Sequence, residues 1–171
     1  MASQIPSHPS SAFSLKLLTE PDGDDVLAFE RRNRDFFAQW VGDRGDEWFA
    51  TFFDRHAALA EENRDGTSLL YLVRDAGGGV IGRVNILDVD GDVAELGYRL
   101  AESAQGRGIA TAAVGRALSA AFAVGVRRVD ARVFADNGAS QRVLDRNGFV
   151  LAARPCEING LPARLYQWRR D

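Results

Sequence analysis

A glycine-rich segment between a strand-like run and a helix-like run constrains the fold of this chain more than any other feature. Residues 105–110 read Gln-Gly-Arg-Gly-Ile-Ala, after the strand-like run 93–100 and at the start of an apolar run over residues 109–123. The first N–H groups of a helix have no partner within it, and the helix dipole is positive there. Glycines leave those groups accessible, and Arg107 adds a permanent charge. The segment therefore predicts an anion site, most naturally for a phosphate.

Two common nucleotide-binding motifs do not fit this loop. A P-loop needs a lysine after its second glycine, but the only lysine of the chain is Lys16. The dinucleotide motif G-x-G-x-x-G is also missing, because Ile-Ala-Thr follows the G-x-G pair at residues 109–111. Two alternatives stay open at this point: a strand-to-helix turn without a ligand, and a phosphate-binding module for another nucleotide.

The loop resembles the motif with which the GNAT N-acetyltransferases bind the pyrophosphate of acetyl-CoA. That motif is Arg or Gln, two free positions, Gly, one free position, and Gly or Ala; Gln105, Gly108 and Ala110 fill it. A second segment, residues 137–149, is similar to the asparagine-helix-Gly-Phe block of the same superfamily, and its asparagine is a good helix N-cap. Together the resemblances imply a GNAT-like domain over residues 14–170 that uses acetyl-CoA and no metal.

Within the superfamily, the chain looks like the ribosomal-protein N-terminal acetyltransferases, the Rim-type subgroup. The resemblance rests on Arg-Asn-Arg at residues 32–34 followed by Trp40, on Glu-Leu-Gly-Tyr at residues 95–98, and on Asn137 with Ser140. It implies that the acceptor is a protein N-terminal α-amine. Relatives of this subgroup also modify small amines, so an amino acid, a polyamine or an antibiotic remains an alternative acceptor.

The hydrophobic periodicity predicts an α/β fold with about seven strands and about four helices. The strands are expected at residues 14–18, 68–74, 80–87, 93–100, 128–134, 149–156 and 163–168, and the helices at 22–37, 46–63, 109–123 and 137–147. A meander in the middle and a βαβ unit near the end indicate a mixed, mostly antiparallel sheet, which agrees with the GNAT order. Residues 1–13 are expected to be a flexible tail, and residues 14–171 a single N-acetyltransferase domain.

The composition narrows the possible partners and the compartment. A net charge of −3 and a pI near 5.4 argue against nucleic acid as a partner. His8 and His56 are too few for a metal cluster, and Cys156 is the only cysteine. No apolar run reaches the length of a membrane span, so a cytoplasmic protein is predicted. Only one of the 21 basic residues is lysine, which suggests a GC-rich bacterial genome. Exposed strand edges make a homodimer possible.

The GNAT resemblance implies which residues hold acetyl-CoA. The strand end at Leu100 and Ala101 would contact the pantetheine arm as an added strand does. Asn137 completes the cofactor set. The pyrophosphate would be held by the residues of the loop and of the first helical turn, namely Gln105, Gly106, Arg107, Gly108, Ile109, Ala110 and Thr111.

Two carboxylates are candidates for the base that deprotonates the amine. An α-amino group has a pKa of about 7.7–8.0, against about 10.4 for lysine, so a weak base or a water chain suffices for an N-terminus. Glu95 lies on the strand just before the loop and matches the position of a base in some GNAT members. It could equally be a surface carboxylate paired with an arginine. Glu157, in the last hairpin, is the rival.

The sequence leaves several alternatives for the proton donor to the leaving thiolate. Many GNAT members carry a tyrosine seven residues after the capping asparagine, but that position is Leu144 here. Ser140 could donate through its hydroxyl or a water, or could simply cap the helix; the thiolate could also leave without an acid. The oxyanion would be stabilised by a backbone N–H of residues 98–100. The leucine also leaves open a CoA-binding module without catalysis.

Acceptor binding is expected to involve the first helices and the last hairpin. Asn33, Arg34 and Trp40 are the candidates, although aromatic residues at helical spacing pack equally well in a core. Cys156 has no histidine or aspartate placed by the sequence to activate it. We therefore expect a small buried thiol there rather than a nucleophile.

Overall fold

The computed structural model describes residues 13–171 of the chain. These residues contain eight strands and six α-helices. The strands are β1 (Phe13–Leu17), β2 (Leu69–Asp75), β3 (Val80–Asp90), β4 (Val93–Leu100), β5 (Arg128–Phe134), β6 (Val150–Leu151), β7 (Cys156–Ile158) and β8 (Leu161–Arg169). The helices are α1 (Gly23–Arg32), α2 (Arg34–Val41), α3 (Asp46–Ala50), α4 (Phe52–Asp65), α5 (Ile109–Ala123) and α6 (Gly138–Arg146). The predicted tail over residues 1–13 lies outside the described residues except for its last position.

All strands belong to one mixed sheet. Its order is β1-β2-β3-β4-β5-β8-β6, and β7 pairs with β8. Every neighbouring pair is antiparallel except β4 and β5, which are parallel and joined by α5. The predicted α/β class with a mixed, mostly antiparallel sheet is therefore confirmed.

Helices cover both faces of the sheet. The Tyr98 hydroxyl donates to the carbonyl oxygen of Ser140 on α6 at 3.2 Å, whereas the guanidinium of Arg99 donates to Glu30 on α1 at 3.2 Å. Successive side chains of a strand point to opposite faces, so α6 and α1 lie on opposite sides; we call these the α6 face and the α1 face. α5 packs beside α6, and α2 and α4 pack beside α1.

α5 is buried deeply against the sheet because its inward side chains are small. Ala113, Ala117 and Ala121 recur every four residues and are fully buried, so they form one stripe along the helix. Alanine allows the helix axis to approach β3 and β4 closely while keeping a high helix propensity. This close packing fixes the start of α5 relative to the end of β4.

Three predicted elements are divided in the structure. The helix expected over residues 22–37 ends at Asn33, whose side-chain amide donates to the Phe29 carbonyl at 2.9 Å. The helix expected over 46–63 divides at Thr51, which leaves the helical conformation with ψ of 17° and donates its hydroxyl to the Glu47 carbonyl at 2.9 Å. The strand expected over 149–156 is interrupted between β6 and β7, where Pro155 has no N–H to donate.

Tight turns join β2 to β3 and β7 to β8. In the Asp75–Gly79 turn, the Asp75 carboxylate accepts N–H bonds from Gly77 at 3.0 Å and Gly79 at 2.8 Å. Asn159 and Gly160 both have positive φ, 52° and 76°, which a two-residue hairpin turn requires. The second turn sets the register of β7 against β8.

No helix within residues 13–171 is long and apolar enough to cross a membrane. In the same part of the chain, no three His, Cys, Asp or Glu side chains are grouped so that they could hold a metal ion.

Two strand glycines allow the packing between β3 and β4 to be tested. An alanine Cβ at Gly82 would lie 2.5 Å from Leu100 Cδ1 and 3.0 Å from the Arg99 carbonyl oxygen. Such overpacking costs about 1–3 kcal/mol, so we expect urea denaturation to show that loss for Gly82→Ala. Gly97→Ala is the matched control, because its Cβ would meet its nearest atom only at 3.9 Å. Equal stabilities of the two variants would contradict this packing.

Candidate active site

The site begins where β4 and β5 separate. The two strands pair only from Val93–Leu96 to Arg128–Ala131. Beyond these residues β4 pairs only with β3, and β5 only with β8. The edges that the two strands turn towards each other are therefore left without a partner strand, and a cleft opens between them.

The cleft has a volume of about 300 Å³ and runs between the two faces of the sheet. Its walls come from β4 and β5, from α2 on the α1 face and from α6 on the α6 face. The lining residues are Phe36, Phe37, Trp40, Val41, Leu96, Gly97, Tyr98, Arg99, Leu100, Gln105, Ala110, Ala131, Arg132, Val133, Phe134, Asn137, Ala139, Ser140, Val143, Leu144 and Ile158.

Backbone groups of β4 point into this cleft. The Ala101 N–H donates to the Ile81 carbonyl at 2.8 Å. In an antiparallel pair, hydrogen bonding to one neighbour alternates along the strand. Arg99 therefore turns its N–H and C=O towards β3, and Tyr98 and Leu100 turn theirs towards β5, which has already separated. The Leu100 carbonyl accepts from the Gln105 side chain at 3.0 Å, so the remaining groups can receive a ligand.

The glycine loop lies at the α6 end of the cleft. Gly106 and Gly108 have φ values of 71° and 74°, and no described atom lies within 4 Å of where a Cβ would be. Gly108 is the N-cap of α5, and no side chain caps this helix start. Ile109, Ala110 and Thr111 form the first turn, and residues 105–108, including Arg107, are exposed. Open space over uncapped N–H groups fits a pyrophosphate.

A match to a known family agrees with this geometry. Residues 14–150 match the acetyltransferase (GNAT) domain family. The chain belongs to the GNAT acetyltransferases. Acetyl-CoA is therefore its acetyl donor, and the open loop, the free β4 backbone and the capping Asn137 are the residues that fit this co-substrate.

Relatives and solved structures support the same assignment. A probable N-acetyltransferase, YjcK of Bacillus subtilis, is 28% identical over 150 residues, which are 82% of this chain and 83% of that protein. The ribosomal-protein-S5-alanine acetyltransferase of Vibrio fischeri is similar in structure, with a TM-score of 0.84, 25% identity and 94% of each chain covered. The RimL ribosomal L7/L12 α-N-protein acetyltransferase in complex with CoA shares the fold, with a TM-score of 0.81, 19% identity and 93% and 94% of the chains covered.

Asn137 and Ser140 begin α6 at the wall of the cleft. The Asn137 side chain accepts from the Ser140 N–H at 3.1 Å, so asparagine is the helix N-cap, as predicted. The Ser140 hydroxyl forms no hydrogen bond with any described residue, and it is therefore not needed as a cap. Ser140 lines the cleft next to Tyr98, which keeps its hydroxyl available to a ligand.

The two candidate bases of this acetyltransferase lie at the margin of the cleft. Glu95 is exposed and accepts a hydrogen bond from Arg132 at 3.4 Å, and Arg132 lines the cleft. Glu95 shares its side of β4 with Arg99 by the strand period, so it faces the α1 side. Glu157 is exposed on β7, where its neighbour Ile158 is the residue that lines the cleft. Neither carboxylate is among the residues that line the cleft.

The three candidate acceptor-binding residues differ in their surroundings. Asn33 is buried; its amide N–H donates to Phe29 and its oxygen accepts from the Glu102 N–H at 3.2 Å, so both ends are used within the fold. Arg34 lies outside the cleft, bonded to carboxylates of the α2–α3 region. Trp40 alone of the three lines the cleft.

Tyr98 and Arg99 also line the cleft, although no motif in the sequence predicts a role for their side chains. Burial raises the pKa of Tyr98 to about 12, so its phenol stays protonated at neutral pH. Arg99 lies 4.9 Å from the centre of the Phe37 ring and lines the cleft from the α1 face. The alternation of side chains along β4 is a sequence signal that predicts opposite faces for these two residues. Only the tertiary structure shows what they contact.

The open glycine loop predicts a selective loss of acetyl-CoA binding. We expect Gly108→Ala to weaken acetyl-CoA binding about tenfold in calorimetric titration, because a left-handed alanine costs about 1–2 kcal/mol and the strain shifts the N–H groups. Gly66→Ala is the control, since Gly66 also has φ of 74° and open space but ends α4 away from the cleft. Equal affinities of the two variants would contradict the role of the loop.

Proposed function

We propose that this acetyltransferase moves the acetyl group from acetyl-CoA directly to a primary amine, with a protein N-terminal α-amine as the favoured acceptor. The observation that carries the proposal is the cleft between β4 and β5. Its α6 side holds the open loop and the helix caps, whereas its α1 side is lined by Phe36, Phe37 and Trp40. Donor and amine can therefore approach one reaction point from opposite faces of the sheet.

The scarcity of acid groups in the cleft supports an α-amine as the acceptor. No carboxylate lines the cleft within residues 13–171, and Glu95 at its margin is exposed and paired with Arg132. At pH 7 about 10–20% of an α-amine is already neutral, but less than about 0.1% of a lysine side chain. A weak base is therefore sufficient for an N-terminus. The similarity to the S5-alanine acetyltransferase of Vibrio fischeri points in the same direction.

Each step of the transfer has a candidate group in this chain. Acetyl-CoA supplies an activated thioester. The N–H groups of Tyr98 and Leu100, which face the cleft, would donate to the oxyanion, and Glu95, or Glu157 as its rival, would accept the amine proton through water. The Ser140 hydroxyl is the group that could protonate the thiolate, because the tyrosine position of many relatives holds Leu144, which is buried.

Mass spectrometry of acetylated peptides determines which amine is the acceptor. We expect peptides with a free N-terminus and blocked lysines to be acetylated faster than N-terminally blocked peptides with a free lysine. Faster transfer to lysine or only to small amines would make the α-amine assignment wrong. Binding of acetyl-CoA without acetyl transfer to any amine, and so without release of free CoA, would instead indicate a module that has lost catalysis.

Two variants test the catalytic assignment. We expect Glu95→Gln with Ser140→Ala to lower kcat about a hundredfold, since general acid–base groups contribute about 10²–10⁴-fold, while calorimetric binding of acetyl-CoA is unchanged. Glu47→Gln with Ser119→Ala is the control, because both residues are exposed, on α3 and α5. Full activity of the first double variant would show that neither residue is catalytic.

A further inference from the structure

A buried carboxylate beside the cleft is shared by two arginines. Glu30 on α1 is 2% exposed. It accepts from Arg83 at 3.1 Å and from Arg99 at 3.2 Å. Two cations around one anion leave an excess positive charge, and a buried charge without a partner is costly. The α1 face therefore carries positive charge directly next to the cleft.

Arg44 adds a third guanidinium to this cluster. It lies 4.3 Å above the centre of the Trp48 ring, and no described residue hydrogen-bonds to it or pairs with it as an ion. Burial first, and then the positive charge of Arg99, lower the pKa of Arg44 to about 10, although the negative charge of Glu30 opposes this change; the side chain remains protonated at neutral pH. Three arginines around Glu30 give the cluster a net charge of +2.

The neighbouring Arg34 differs because two carboxylates already pair with it. It donates to both carboxylate oxygens of Asp43 at 2.7 Å and to Asp46 at 2.8 Å. These carboxylates raise the pKa of Arg34 above its usual value. The charge available to a ligand on the α1 face is therefore that of Arg44 and Arg99, not that of Arg34.

Arg44 and Arg99 line one small cavity next to the cleft. Its volume is about 10 Å³, close to the space that one water molecule needs. Glu30, Asp43 and Arg34 also line it, so three guanidinium groups and two carboxylates leave one excess positive charge there. Phe37, Val41 and Arg99 line both this cavity and the cleft. The cavity therefore adjoins the cleft on the side where Phe37 and Trp40 lie.

We propose that Arg44 and Arg99 form a subsite for a carboxylate of the acceptor, next to the amine that is acetylated. The inference rests on the acetyl transfer proposed above and adds the charge of the substrate. Hydrogen bonds from guanidinium to carboxylate are charge-assisted and strong, and the anion would neutralise the excess charge. A polyamine is disfavoured, because its like charge would meet the same two arginines. The carboxylate can be the α-carboxylate of an amino acid or an acidic side chain of a peptide.

A set of matched acceptors distinguishes these sources. We would measure kcat/KM for amidated peptides that begin Ser-Glu, Ser-Gln and Ser-Lys, and for serine against serinamide. The subsite predicts that Ser-Glu exceeds Ser-Gln by about tenfold or more, with Ser-Lys lowest, if the acid is a side chain. A preference for serine over serinamide would support the same subsite and identify the α-carboxylate as its ligand.

Variants of Arg44 test whether the subsite causes the preference. We expect Arg44→Gln to raise KM for the acidic acceptor about tenfold, with little change for the neutral one or in acetyl-CoA affinity, and Arg44→Lys to retain part of the preference. Arg64→Gln is the control, since Arg64 is exposed on α4 and pairs only with Glu61 among the described residues. A merely structural role of Arg44 would affect acidic and neutral acceptors alike.

The outcomes separate the two proposals. Acetylation of acidic and neutral acceptors at equal kcat/KM, unchanged by Arg44→Gln, would overturn the carboxylate subsite and leave the acetyl transfer intact. Binding of acetyl-CoA with no transfer to any amine would overturn the proposed function and the subsite with it.

Discussion

Only four residue pairs hold β4 and β5 together, and the cleft depends on where this pairing stops. Parallel neighbours need a long crossover, here α5, which starts at the loop after β4 and returns the chain to β5. Beyond the paired residues each strand keeps its other neighbour, β3 or β8, so the sheet remains continuous enough to be stable while one gap stays open. The right-handed twist of strands favours such divergence. One local loss of pairing thus creates free backbone donors and a passage between two faces.

The two sides of this passage have different chemistry because different helices cover them. On the α6 side, backbone N–H groups, an uncapped helix start and small residues suit a phosphate-bearing donor. On the α1 side, aromatic rings and arginine side chains surround Glu30. A donor and an acceptor with different charge distributions can therefore be bound at once without competing for the same groups.

Local signals in the sequence identified much of the fold and the donor side. The loop 105–110 and the Asn137 cap are read from neighbouring residues, because helix caps and left-handed glycines depend on a few adjacent positions. The same local logic failed at Asn33 and Thr51, where side-chain bonds to the preceding turn end helices that periodicity continues. Asparagine and threonine also occur inside helices, so the residue type alone did not predict these helix ends.

The sequence by itself determined the class of fold, the glycine loop and the asparagine cap, since each is encoded by short-range patterns of backbone conformation and apolar spacing. Only the tertiary structure decided that β4 and β5 separate, that Glu95 meets Arg132, and that Asn33 is engaged within the fold. It also brought Glu30, Arg44 and Arg99 to one cavity from three separate elements of the chain. Hydrogen bonding and charge balance of this kind depend on distances through space, which the order of residues along the chain does not specify.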